Sequence, residues 1–257
     1  MKANTLIFFF FSLFLSITSC SNELYDKPKQ HTAMSSINPY DFIGEIHNAA
    51  MDSVKSKNIL SEELKMFTNK YTQIHFDSVQ TYNQPVLCEA TMNNIIQTSC
   101  AYKYNTRSTE AIEDSVLLSV PQEIKPYMEK LYEIVDYSFV DSIQLKATFQ
   151  NFDSLVISNQ SLDAKERACI LAVSAIAKYS SLYNFSTVNT RSITAKGIIK
   201  SDLGGALTGV LCWATFGKAA CSGLMFGPGG VVLTIAKEAT RGAIIGSATH
   251  IVTGGFF

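Results

Sequence analysis

The sequence predicts an all-α protein, a helical bundle followed by a glycine-rich apolar helical hairpin, and three observations carry that expectation. Apolar residues recur at helical spacing through most of the chain. Strand signals are scarce, with few alternating runs and no Asn-Gly or Asp-Gly turn. No glycine lies between Gly44 and Gly197, whereas 13 of the 14 glycines lie from Gly197 onward.

Each element follows in order. Asn38 can cap a first helix with Pro39 at its first position and Asp41 in its first turn, placing Phe42, Ile46, Ala49 or Ala50, and Val54 on one face. A second helix begins at Ser61, with Glu62 and Glu63 ahead of Leu64, Phe67, Tyr71 and Ile74. Residues 89 to 100 form a weaker helix around Ile95 and Ile96, and a polar break follows from Asn105 to Glu110. Pro126 opens a helix with Tyr127, Leu131, Ile134 and Val135 on one stripe, and Leu145, Phe149, Phe152 and Val156 repeat the pattern. The strongest helix runs from a Ser161 cap through Asp163 into Cys169 to Ala177, apolar on nearly all sides and therefore central. This organisation divides the chain into an α-helical domain at 38–185, a polar linker at 186–200 and an apolar segment at 201–257.

The apolar segment contains three uncharged stretches, Leu203 to Gly217, Ala219 to Ala236 and Gly242 to Phe257, separated by Lys218 and by Lys237, Glu238 and Arg241. At 15, 18 and 16 residues they lie at or below the length that crosses a bilayer as a helix. The pairs Gly205 and Gly209, Gly223 and Gly227, and Gly242 and Gly246 each place two glycines one turn apart, a spacing that lets helices approach closely. Gly227-Pro-Gly-Gly230 reads as a turn or break. The segment resembles the glycine-zipper helices of membrane-active peptides and two-peptide bacteriocins.

The other end of the chain carries an address. Lys2 precedes an apolar run from Leu6 to Ile17, which is too short to span a membrane comfortably, and Thr18-Ser19 supplies small residues before Cys20. Ile17-Thr18-Ser19-Cys20 resembles the lipobox of bacterial lipoproteins. The resemblance implies a signal peptide at 1–19, acylation of Cys20, a flexible tether at 20–37 and a place in the cell envelope at the outer membrane, on its periplasmic or its surface face.

Composition narrows the function. Of the 21 basic residues only Lys2 is lost with the signal, so the mature balance is 20 against 22 acidic, a net of −2 that offers no footprint for nucleic acid. The four histidines, His31, His47, His75 and His250, lack metal-type spacing, so no metal or cofactor is expected. No nucleophile elbow, phosphate loop or dinucleotide fingerprint occurs. Cys169 reads as a buried inert thiol, and Cys88 with Cys100, or Cys212 with Cys221, could pair only if the chain bent between them. One recurrence exceeds composition: Asp-Ser-aliphatic occurs five times, at Ser53, Ser78, Ser115, Ser142 and Ser154. It resembles the O-glycosylation sequon of exported Bacteroidota proteins, which would make these serines glycosylation candidates.

The function expected from these features is a cell-envelope lipoprotein with a non-enzymatic structural or interaction role. Its partners would be membrane lipid through Cys20 and either further copies of itself or another envelope protein. The alternatives are a membrane-active, bacteriocin-like or pore-forming module, and an enzyme without a recognisable motif.

Overall fold

The computed structural model describes residues 37–60, 62–76, 89–104, 113, 115–137, 141–187, 193–216 and 227–254. Cys20, Ser78 and Gly223 lie outside them. The described residues all belong to one compact unit, Ser36–Phe257. They form an all-α fold of eight helices with a short helical turn at 115–117, and no strand occurs among them. The helices are α1 (Asp41–Lys57), α2 (Leu64–His75), α3 (Glu89–Tyr104), α4 (Lys125–Asp136), α5 (Ser142–Ser158), α6 (Ala164–Thr187), α7 (Ile193–Phe216) and α8 (Gly227–Gly254).

α7 and α8 pack together along their length and form the centre. α6 lies against both, α1, α2 and α3 cover α8, α3 and α4 cover α7, and α5 is outermost, on α6. Residues 168–178 of α6, the run expected to be central, are all buried.

Local signals explain several boundaries and correct others. Asn38 caps the turn that leads into α1, whose own N-cap is Tyr40: its Oδ1 accepts from the Tyr40 N–H at 2.9 Å, while its Nδ2 donates to the Leu171 carbonyl of α6 at 2.9 Å. The asparagine thus fixes the entry of the chain onto α6. The buried face of α1 is Ile43, Gly44, His47, Ala50, Met51 and Val54. Phe42, expected inside, is 39% exposed and meets Phe76 ring to ring. The face is rotated because Gly44 admits the Tyr179 ring, which a Cβ there would overlap at 2.5 Å. Asn58 ends α1 in the left-handed conformation (φ 52°), which asparagine tolerates, with basic Lys55 and Lys57 in the last turn.

α2 starts at Leu64, after the acidic pair, and buries Leu64, Thr68, Tyr71 and Thr72, leaving Ile74 exposed. Asp141 caps α5, accepting from the Gln144 N–H at 2.7 Å. α6 is capped by Asp163 and not by Ser161: Asp163 Oδ1 accepts from Glu166 N–H at 2.7 Å, and Glu166 Oε2 accepts from Asp163 N–H at 2.8 Å. This reciprocal box satisfies two otherwise orphaned donors.

The expected linker at 186–200 is mostly helix. α6 continues to Thr187 and α7 begins at Ile193. Its polar residues do not form a spacer, because Lys196 and Lys200 reach across to α4: Lys196 Nζ donates to the Asp136 carbonyl at 2.6 Å, and Lys200 Nζ lies 2.8 Å from the Asp136 carboxylate and 2.6 Å from Glu113. Gly227-Pro228-Gly229-Gly230 opens α8 instead of breaking a helix, the proline standing in the first turn where its missing N–H costs nothing. The charges that separate the second and third uncharged stretches lie inside α8, where Arg241 pairs with Glu238 at 3.0 Å. Among the described residues, no helix is long and apolar enough to cross a membrane.

Candidate functional site

The α7–α8 crossing is made by backbone against backbone. A Cβ built on Gly205 would fall on the Gly242 carbonyl, one on Gly242 on the Gly205 carbonyl, one on Gly209 on the Glu238 carbonyl, and one on Gly246 on the Ser201 carbonyl. The two helices therefore run antiparallel, with 201 opposite 246, 205 opposite 242 and 209 opposite 238. Gly227 is the first residue of α8.

Beside this crossing, four helices bring polar side chains to one buried junction. α1 contributes His47, Asn48 and Lys55; α6 contributes Ser180, Tyr183 and Asn184; α7 contributes Asp202; α8 contributes Ser247. His47 and Asp202 are almost wholly enclosed, at 1% and 0% exposure. Spacing explains why they are inside: His47 is four residues from Ile43 and from Met51 on the buried stripe of α1, and Asp202 adjoins Leu203 in a helix buried on nearly every side. His47 Nε2 stands 3.4 Å from Asp202 Oδ1 and 3.4 Å from Ser247 Oγ. His47 Nδ1 faces Asn48 Oδ1 at 3.2 Å, and Ser180 Oγ donates to Asp202 Oδ2. At the rim, Tyr183 donates to Asp52 at 2.5 Å and accepts from Lys55 Nζ at 2.9 Å. Burial lowers the Lys55 pKa against the raising pull of Asp52 and Asp202, while burial and the bond to Asp52 push the Tyr183 hydroxyl up.

Serine, histidine and aspartate meet here, but not as a catalytic relay. A relay needs the carboxylate on one ring nitrogen and the nucleophile on the other. Here both face Nε2. The space among these side chains is about 10 Å³, the room of one water molecule.

A second buried cluster joins α1, α5 and α6. Lys178 Nζ lies 2.5 Å from Asp41 and 3.2 Å from Asp153, and Ser174 Oγ donates to Asp153 at 2.6 Å. Burial raises the Asp153 carboxyl pKa, opposed by Lys178. A third cluster is Lys200 with Asp136 and Glu113; burial would lower the Lys200 pKa, but hydrogen bonds to the two carboxylates outweigh it and hold it above the usual value. A fourth is the Glu238–Arg241 pair of α8, where burial raises the Glu238 pKa against Arg241 and Lys237. No group of three or more metal-ligating side chains occurs among the described residues.

The glycosylation candidates occupy unequal settings. Ser115 is exposed. Ser142 is half-buried in the first turn of α5. Ser53 and Ser154 are half-buried and donate back to the carbonyls of Ala49 and Gln150, at 3.0 and 2.8 Å. Three of the preceding aspartates have contacts of their own, Asp52 with Tyr183, Asp141 as a cap and Asp153 with Lys178. Cys100 and Cys169 are free thiols, and burial pushes that of Cys169 up to about 12. His75 stacks on Tyr71 at 4.5 Å, and His250 lies buried with Nδ1 3.4 Å from Ser201 Oγ.

Comparison of the chain with protein-family models, with curated proteins and with solved structures finds no match. The sequence singled out none of the buried clusters as a unit. The signal was present nonetheless: His47 and Asp153 each interrupt an apolar stripe at a position the helix must bury.

Proposed function

We propose that this chain is a lipid-anchored protein of the bacterial cell envelope, of Bacteroidota type, tethered through Cys20 and serving a structural or interaction role without catalysis. The observation that carries the reading is the enclosure of α7 and α8. From Ala195 to Leu211 every residue but Lys196 and Thr208 is buried, and from Thr234 to Ile251 every residue is. Apolar surface that could have sought a bilayer is used as the core of the protein itself, and the N-terminal lipid supplies attachment instead.

Insertion of α7 and α8 into a bilayer is the rival reading. It would carry Lys200, Asp202, Lys237, Glu238 and Arg241 out of their present contacts into lipid, at roughly 2.5–3.5 kcal/mol for each charge placed at a membrane centre. The enclosure of these side chains therefore favours the first reading.

The test is fractionation and intact mass of the protein from its native host, beside Cys20→Ser. Two or three acyl chains hold a protein firmly to a membrane. The wild-type mass should equal the chain from Cys20 plus lipid, and the variant should be soluble or unprocessed. Additional mass removed by glycosidase would place sugar on the candidate serines, with Ser115 the most accessible of those among the described residues. Fatty-acid incorporation that persists in Cys20→Ser would sink the assignment. Pull-down from envelope fractions then separates self-association from a second protein.

A further inference from the structure

We propose that His47 is held as an imidazolium on Asp202, so that one buried proton fastens α1 to the α7–α8 core. The argument begins at Asn48. Its Nδ2 donates to the Tyr179 carbonyl at 3.2 Å, which fixes the amide, since the flipped amide would set oxygen against oxygen. Asn48 therefore presents Oδ1, an acceptor, to His47 Nδ1. Nδ1 must carry a hydrogen to donate there.

A neutral imidazole has only one such hydrogen. Neutral His47 would then turn the bare lone pair of Nε2 toward Asp202 Oδ1, 3.4 Å away, and Oδ1 has no hydrogen-bond donor of its own among the described residues. A second proton on Nε2 removes the conflict. It gives Oδ1 a donor, gives the fully buried carboxylate a counter-charge, and leaves the Ser247 hydroxyl at 3.4 Å as an additional acceptor. Burying an aspartate without such compensation is among the costliest arrangements in a protein interior.

The groups facing the pair come from every helix around it. α6 presents Tyr183, α1 presents Lys55 and Asp52, α7 presents Asp202 itself, and α8 presents Ser247, with His250 nearby at Ser201. Lys55 is held at the exposed rim by the Tyr183 hydroxyl. Lys55 acts on Asp202 only from that rim, so the counter-charge in direct contact with the carboxylate falls to His47, and α1 is joined to α7 and α8 through an ion pair that exists only while the proton is bound.

The sign of the pH effect follows. The pair is complete only where the carboxylate is ionised and the imidazole protonated together, and on the alkaline side it is lost as the imidazolium gives up its proton. The first test uses the wild-type chain and no variant. Ring 15N shifts of His47 near neutral pH should show both nitrogens protonated, and an unprotonated Nε2 would overturn the proposal. The second compares melting temperatures of wild type and His47→Gln at about pH 5 and about pH 9, on either side of the ordinary histidine range. The wild type should lead at the lower pH and lose most of that lead at the higher. A lead that does not change with pH overturns the fastening even if the ring is charged.

Discussion

Lys178 is one ammonium between two carboxylates, and only one of them is wholly enclosed. Asp41 lies at the edge of α1, whereas Asp153 has 0% exposure and leans on Lys178 and Ser174. Replacing Lys178 by methionine would leave Asp153 charged and buried, a class of change that costs about 3–5 kcal/mol. The loss should depend on pH. Burial already makes the folded chain hold the Asp153 proton more tightly than the unfolded chain, whose aspartates titrate near about 3.9. The penalty for ionising it therefore appears as pH rises above that value, and removing the ammonium enlarges it. Urea midpoints of Lys178→Met should match wild type best in acid and fall progressively behind toward neutral pH. Adding Asp153→Asn should recover part of the difference, and a gap constant across pH would refute the account. The stripe Leu145, Phe149, Phe152 and Val156 was legible in the sequence. That Asp153 belongs to the same face, one turn from Phe149, is not legible in the sequence, because a carboxylate next to a serine reads as a solvated position.

Among the helices, the α7–α8 crossing has no slack. Where a carbonyl oxygen occupies the place of a missing Cβ, a larger side chain cannot be accommodated by a rotamer change; one backbone must move. Leucine at Gly209 or Gly246 gains ~1 kcal/mol in helix propensity over glycine. Overpacking against backbone, at about 1–3 kcal/mol, should outweigh that gain, for a net loss of up to about 2 kcal/mol, read as a lower melting temperature. Unchanged melting in both variants would remove close packing as the reason for these glycines. The glycine spacing was visible in the sequence, but the number of helices was not. Lys237, Glu238 and Arg241 look like breaks in a hydropathy reading, yet Glu238 and Arg241 sit one turn apart, pair with each other, and let α8 continue through them.

At the scale of the molecule, the change in composition near residue 186 does not mark a boundary of stability. Ile170, Val173 and Ile176 of α6 share one continuous core with Leu203, Leu207 and Val210 of α7 and with Ile235, Ala239 and Ala243 of α8. A chain stopped at Thr187 would expose the inner faces of α1, α3, α4 and α6 together. It should lose cooperative unfolding and give weakly dispersed amide spectra, whereas a cooperative transition in that fragment would show that 38–185 folds alone. Composition misleads here because it reports how apolar a segment is, not which segments bury one another.

The helices that surround the core come earlier in the chain than the core. A ribosome or an export channel delivers α1 to α5 first, with apolar faces complete and nothing yet to lay them against. Productive collapse must wait for α8, whose Gly242 and Gly246 close the crossing with residues some 40 positions upstream. Until then the emerging chain is an open set of amphipathic helices, exposed to proteases and to its neighbours. If the lipid proposed for Cys20 is in place, the chain passes that interval at a membrane surface, where a holding chaperone or rapid release of the final helices would decide whether a folded molecule results.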